Sequence, residues 1–384
     1  MITQRFHQRC NKLRLYIAIV ITAIAYTCIG IRHNDFTIPF FQDKKSIAVQ
    51  KETVATKGEE DTRTNEENTP RTSTTTAKVT IQQVKNEPTV GLPNLLLIGS
   101  MKGGSTAVSV WLVKQGVCNG EVFAGEPQYY AKEMTFFDNP DRYSRGKLFY
   151  TKHYEHCTKK NATWIMDATP GTVLHPDKVY DTYKDEPNLR DLKIIFTIRE
   201  PISRELSMYN HYRLIHSRNP HNVTLDWLNY FMTNPDDGST RTFPDFVENV
   251  TLAKLNITKS QSSIAHYAMH LKRWFSLFDP TQILLLSYEH EIKPGAPAKQ
   301  RIQQFLDDDT SFSPEALAGP FPTANTGDDS KFKVSHINCS VVERLRPFLD
   351  EFHKELYDLL ATTPRPPMEI RPWPEFDHPP KCVG

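Results

Sequence analysis

Residues 97–107 read LIGSMKGGSTA: an apolar run stops at a glycine, and a lone lysine then precedes two more glycines and two hydroxyl residues. Between a strand and a helix, such a set suits an oxyanion. Gly103 and Gly104 leave backbone N–H groups bare, Lys102 adds a positive charge, and Ser105 and Thr106 add hydroxyl donors. A nucleotide triphosphatase loop would read G-x-x-x-x-G-K-[ST], with its lysine after the glycines and a hydroxyl for magnesium. Here the lysine comes first. The plainer reading of this segment alone is an ordinary glycine-rich turn. A second stretch, IFTIREPISRELSMYNHY at 195–212, ends a strand on Arg199, opens a helix at Pro201 and carries Ser207 two turns along. An arginine at a strand end with a helical serine nearby suits a second phosphate held bidentately. The plainer reading is a surface pair of Arg199 with Glu200 or Glu205.

These residues need elements to hold them. NLLLIGS (94–100) reads as a buried strand followed by a helix over about 105–115, and TWIMDAT (163–169) is a second short apolar run. LKIIFTIRE (192–200) is a strand followed by a helix over about 202–216. Helical apolar spacing over 264–278 precedes a strand at 282–288. Ser340 and Glu343 make a capping box for a last helix, in which Val341, Leu345, Leu349, Phe352, Leu356 and Leu359 share a face. Continuous apolar strands separated by helices predict an α/β, P-loop-like three-layer domain, with a central parallel sheet flanked by helices. The domain is expected over 93–362. In such a sheet ligands sit beyond the carboxyl ends of the strands, where both motifs fall.

The rest of the chain gives an address. Basic residues among 1–14 precede LYIAIVITAIAYTCIGI (15–31), which carries no charge. A helix of that length spans roughly 25 Å, enough for a thin secretory membrane. A basic cytosolic tail would make this a type II signal-anchor with the rest luminal; a cleaved signal peptide ending near Ala25 is the other reading. Residues 32–92 are polar and rich in Thr, Lys and Glu, a flexible stem, and 363–384 form a proline-rich tail along the surface. Asn-x-Ser/Thr triplets at Asn161, Asn222, Asn249, Asn256 and Asn338 agree with a luminal address. Cys118, Cys157, Cys339 and Cys382 allow two disulfides in any of three pairings. No C-x-x-C spacing indicates a metal, and a net charge of +1 gives no global field for nucleic acid.

Taken together, the two motifs resemble those of the Golgi carbohydrate sulfotransferases that use 3′-phosphoadenosine 5′-phosphosulfate, most closely the heparan-sulfate type. The resemblance covers about residues 93–360. It implies that Lys102, Gly103, Gly104, Ser105 and Thr106 clasp the 5′-phosphosulfate, and that Arg199 and Ser207 hold the 3′-phosphate. KEMTFFDN (132–139) is similar to the family's E-x-x-F-F segment, which implies Glu133 as catalytic base; a carboxylate paired with Lys132 is its plainer reading. SKFKVSH (330–336) lies where the family has a basic loop over the nucleotide, making Lys331 and Lys333 candidates. Lys102 would stabilise the leaving oxygen, and no metal is implied. The implied acceptor is a hydroxyl or amino group of a glycan in the Golgi lumen.

Departures bear on the acceptor. DATP puts Ala168 where many heparan-sulfate enzymes carry a lysine, Thr106 replaces an arginine of some members, and FPTANTGDDS lacks the family's cysteine loop. These leave the reaction class standing and argue against assigning a heparan-sulfate acceptor. Two other readings stand beside this one: a protein-tyrosine sulfotransferase, and a catalytically silent glycan-binding protein of the same fold. A luminal kinase would need an acidic magnesium set that the sequence lacks. His266, His270 and His336 read as structural or cleft-lining residues, and Asp167 as an acceptor-positioning group or a strand end.

Overall fold

The computed structural model describes residues 91–126, 131–187, 189–218, 226–252, 266–306, 312–322, 333–363 and 381–383. The expected anchor at 15–31, the stem up to residue 90 and Lys331 lie outside the described residues. No described helix is long and apolar enough to cross a membrane.

Four apolar runs form the strands expected of them: β1 (Leu95–Leu97), β3 (Ile165–Asp167), β4 (Lys193–Ile198) and β5 (Ile283–Ser287). A two-residue strand, β2 (Cys118–Asn119), joins the edge. The five strands run parallel in the order β2-β3-β1-β4-β5, with Leu95 opposite both Met166 and Lys193. The chain leaves β1 toward one edge, returns beside it as β3, and continues on the other side as β4. The carboxyl end of β1 is therefore the point where connections diverge to opposite sides, the usual ligand crevice of such a sheet.

Alternate strand residues feed different cores, as a period of two requires. Leu96, Ile98, Ile194, Phe196, Ile198 and Leu285 pack with Phe136, Phe137, Tyr150 and Trp274. Leu95, Leu97, Ile195, Leu284 and Leu286 pack with Val108, Trp111, Leu112 and Ile302. The first layer draws on helix α3 (Tyr267–Phe275) and the second on α1 (Ser105–Lys114) and α4 (Ala296–Phe305). This is an α/β sheet covered on both faces. A third cluster joins α2 (Pro201–Arg218) to Phe243, Phe246 and the first half of α5 (Cys339–Thr362). Helix α5 ties the layers together, since Leu345 and Leu349 belong to that cluster while Leu356 and Leu360 belong to the first.

Three details differ from or sharpen the sequence reading. Leu92 already packs in the core, so ordered structure begins before Pro93. The cap of α5 is Asn338, whose side chain accepts from Ser340 N–H at 2.9 Å; Ser340 and Glu343 are instead the second and fifth residues of the helix itself. Of the three cysteine pairings, the fold selects Cys118–Cys157 and Cys339–Cys382. The second bridge ties a short strand at Cys382–Val383 alongside Ile337–Asn338.

Candidate active site

The loop after β1 is fixed on both sides before it reaches Lys102. Ser100 N–H donates to Thr197 O at 2.5 Å, and the Thr197 hydroxyl donates to Gly99 O at 2.7 Å, so the ends of β1 and β4 are laced together. Gly103 has a reason internal to the protein: a Cβ there would lie 2.6 Å from Ser100 Oγ and 2.9 Å from Thr197 Oγ1. At Gly104 φ is +97°, and a Cβ would meet Tyr288 and Ile292 at 2.9 Å. The two glycines thus let the loop lie flat on β4 and on the segment after β5, and the expected bare backbone comes with that packing. Helix α1 follows with no side chain capping its amino terminus, which leaves its first N–H groups for another acceptor. Ser105 is buried and Thr106 half-buried in its first turn.

Lys102 adopts a left-handed backbone, φ +64°, rare for a side-chain-bearing residue. Its amine is held below the ordinary lysine range, first by burial, then by the charges of Arg199 and Lys132; Glu133 acts in the opposite direction. Arg199 ends the next strand and reaches back, with Nη1 donating to the Lys102 carbonyl at 3.1 Å. Its guanidinium lies over the Tyr288 ring at 4.4 Å, and Nε is 3.7 Å from Glu289. The simple pairing of Arg199 with Glu200 or Glu205 does not occur. Glu200 instead accepts from the N–H groups of Ile202 and Ser203 at the start of α2, and Glu205 pairs with Arg204.

Glu133 comes to this crevice on the segment that follows α1 and β2. It forms an ion pair with Lys132 and remains partly exposed. That segment is pinned by the buried Asp167 at the end of β3. Asp167 accepts from the Thr169 hydroxyl at 2.6 Å, from Tyr150 OH at 2.8 Å and from the Met134 N–H, while Thr135 N–H donates to Thr169 Oγ1 at 3.0 Å. Asp167 is thus a positioning group. Burial nevertheless pushes its carboxyl above the usual range.

The remaining candidates are distributed as follows. Ser207 is half-buried two turns along α2. Lys333 is exposed, next to Val334, whose backbone makes two 2.9 Å hydrogen bonds with the Asn210 side chain one turn beyond Ser207. Ala168 is fully buried and contributes no charge. His266 stacks on Phe352 and meets Glu355 at 3.0 Å, and His270 is fully buried; both are structural. His336 is exposed and lies elsewhere, on a surface pocket.

Two site residues escaped the sequence reading. His211, four residues after Ser207 and so on its face of α2, is driven down to about 4 by burial and by the charge of Lys102. Asp138 sits at the end of the Glu133 segment, its Oδ1 shielded and without a hydrogen-bond partner. Its carboxyl is pushed up to about 7, chiefly by burial and then by the Asp167 charge, with Glu133 adding to the effect. The one signal for either was proximity to a motif residue. A cluster suited to a metal, Cys118, His156 and Cys157, occurs among the described residues, but its cysteines are joined to each other and offer no thiolate.

A parallel sheet with a lysine-bearing strand-to-helix turn, an arginine on the neighbouring strand end and a carboxylate beside them offers the residue types that an anionic substrate needs. The chain belongs to the sulfotransferase family: the model of the sulfotransferase domain matches residues 92–319, more than half its length. It is similar to the membrane-associated sulfotransferase kil1 of Dictyostelium discoideum, 31% identical over 31% of this chain but only 23% of that one. It is 26% identical to human heparan sulfate glucosamine 3-O-sulfotransferase 3A1, over 73% of this chain and 64% of the relative. The mouse 3-O-sulfotransferase 5 is 21% identical over 71% of this chain and 73% of its own. A solved sulfotransferase from Alicyclobacillus acidocaldarius is 18% identical over 71% of this chain and 96% of its own, with a TM-score of 0.42.

Proposed function

We propose that the protein moves a sulfuryl group from 3′-phosphoadenosine 5′-phosphosulfate to a hydroxyl or amino group of a glycan, as a type II membrane enzyme of the Golgi lumen. One observation carries this reading: the Arg199 guanidinium bonds the Lys102 carbonyl at 3.1 Å, so two anion-binding motifs about a hundred residues apart belong to one crevice. A donor with separate 3′-phosphate and 5′-phosphosulfate ends suits such a pair. The family and the glycan-acting relatives favour a carbohydrate acceptor over a tyrosine. The apolar run at 15–31 and the two disulfides favour an oxidising, membrane-bounded compartment.

The donor, when bound, supplies an activated sulfuryl group. The chain's own residues do the remainder. The α1 N–H groups and the Ser105 and Thr106 hydroxyls bind anionic oxygens, while Arg199 and Ser207 hold the 3′-phosphate. Lys102 offsets the charge gathering on the leaving oxygen, and Glu133 takes the acceptor proton. Lys333 is the candidate for further positive charge on the nucleotide, with Lys331 two residues before it in the sequence. Positioning and electrostatics do most of the work in such an in-line transfer. The test is transfer of radiolabelled sulfate from the donor to a panel of glycans and a tyrosine peptide, using the full chain in detergent with chelator present. Label on a glycan is expected. Label on the peptide alone, or no binding of adenosine 3′,5′-bisphosphate, would overturn the reading.

A further inference from the structure

A second basic pocket lies away from the donor crevice. Tyr209, Arg213, Arg241, Phe243, Val334 and His336 are among its walls, and its volume is about 320 Å³, at the lower end for ligand pockets. Its floor is buried, at Phe243 and Arg241, and its rim is exposed, at Thr240, Thr242, His336 and Asn338. At about 100° per residue, Tyr209 and Arg213 stand roughly opposite Ser207 and His211 around α2. The pocket therefore opens on the side of that helix turned from Lys102.

The charge inside is unbalanced. Arg241 is 9% exposed, and its Nε is shielded without a hydrogen-bond partner. Neither Arg241 nor Arg213 has a carboxylate within ion-pair distance among the described residues. The Arg213 charge acts on the Tyr209 hydroxyl, and Tyr209 OH donates to the Arg241 carbonyl at 2.8 Å, so one ring spaces the two arginines. The nearby carboxylate, Asp245, is engaged elsewhere: it accepts from the Thr242 hydroxyl at 2.6 Å and from its N–H at 3.2 Å, capping a short helix. Burying a guanidinium without a counter-charge costs stability. A site that keeps one at the base of an open pocket, beside a second arginine and the Thr240 hydroxyl at its rim, is built to receive an oxyanion. The apolar faces of Phe243, Pro244 and Val334 suit a ring that carries it.

We propose that this pocket is a second subsite, in which Arg241 and Arg213 hold a carboxylate or sulfate ester of an acidic glycan while another part of the same chain lies at the transfer site. The proposal rests on the glycan sulfotransferase reading for its occupant, and the measurement separates the two. Full-length protein in detergent is titrated with a heparin oligosaccharide, with its carboxyl-reduced and its desulfated forms, and with adenosine 3′,5′-bisphosphate. Arg241→Met and Arg213→Gln should each weaken heparin binding about tenfold or more and leave bisphosphate affinity unchanged. The form of the oligosaccharide that no longer senses these substitutions has lost the recognised group, whether carboxylate or sulfate. Without ligand, Arg241→Met should melt at the wild-type temperature or above it, since it removes an uncompensated charge. If it does not fold, Arg213→Gln at the half-buried wall carries the test alone. Unchanged heparin affinity in the folded variants would overturn the proposal. So would an equal loss for the bisphosphate, which would assign the pocket to the donor. Wild-type protein that binds heparin but no bisphosphate would sink the enzyme reading and leave the anion pocket standing.

Discussion

Replacing Asp138 by Asn should change how the stability of the protein depends on pH, in a direction fixed by the carboxyl's surroundings. Its ordinary value is 3.8, and in the fold it rises to about 7, because the group is shielded and faces Asp167 and Glu133. A carboxyl raised in this way binds its proton more tightly folded than unfolded. Below about pH 4 it is neutral in both states and costs nothing. From there up to about 7 the unfolded chain ionises freely while the folded one resists, so the wild type loses stability progressively, and above 7 the loss is complete. Roughly three pH units at about 1.4 kcal/mol each set a ceiling near 4 kcal/mol. The residue as a whole is only half-buried, so relaxation and water lower this, and at least about 1 kcal/mol should remain. The Asn variant keeps the shape and lacks the ionisation. Denaturant titrations of both proteins, followed by tryptophan fluorescence from pH 4 to 8, should show the variant gaining on the wild type as pH rises. Parallel curves, or a variant that falls behind at alkaline pH, would refute the reasoning and mean that Asp138 is solvated or paired.

Two further outcomes concern the chemistry. Glu133→Gln should lower turnover by about 10²-fold or more with donor affinity nearly unchanged, since the nucleotide is assigned to Lys102, Arg199 and their loops; calorimetry beside a transfer assay decides, and near wild-type turnover would return Glu133 to the role of a simple partner of Lys132. Arg199→Ala should weaken adenosine 3′,5′-bisphosphate by about 1.5–3 kcal/mol, the value of a charge-assisted contact, and affect adenosine 5′-monophosphate much less. An equal loss for both nucleotides would mean that Arg199 acts mainly by tying down the Lys102 loop.

The parts of this fold that were legible are those in which local pattern and burial agree. Four strands are short, mainly apolar and buried runs, and their ends stand within three residues of the expected ones. Strand β2 was invisible because two residues, Cys118 and Asn119, carry no periodicity and are held by pairing to β3. The cap of α5 was misplaced because Ser340 and Glu343 have the right spacing for a box, while the extended backbone that a cap needs falls at Asn338. Glycine spacing correctly marked the loop after β1 but gave an incomplete reason for it, since the space that Gly103 leaves is filled by Ser100 and Thr197. Asp138, His211 and the Tyr288–Glu289 support of Arg199 were out of reach for the same reason. Their environments are made by segments far apart in the chain, and a residue's charge state is set by those segments rather than by its neighbours in sequence.

The two sides of the crevice are held by separate devices. The donor side is fixed by main-chain bonds between β1 and β4 and by Arg199 on the Lys102 carbonyl. The segment carrying Glu133 makes none of those bonds; it hangs on Asp167 and Thr169 at the end of β3, through the N–H groups of Met134 and Thr135. The loops proposed to bind the donor and the Glu133 carboxylate therefore depend on different strands of one sheet. Damage to the Asp167 network should displace Glu133 while the donor loop keeps its shape, and damage at Thr197 should do the reverse. A site assembled in this way lets the acceptor side change without disturbing the donor side. That division fits the proposed function, in which Lys102 and Arg199 hold the donor while Ala168, on the β3 side, stands where the family resemblance leads one to expect a lysine.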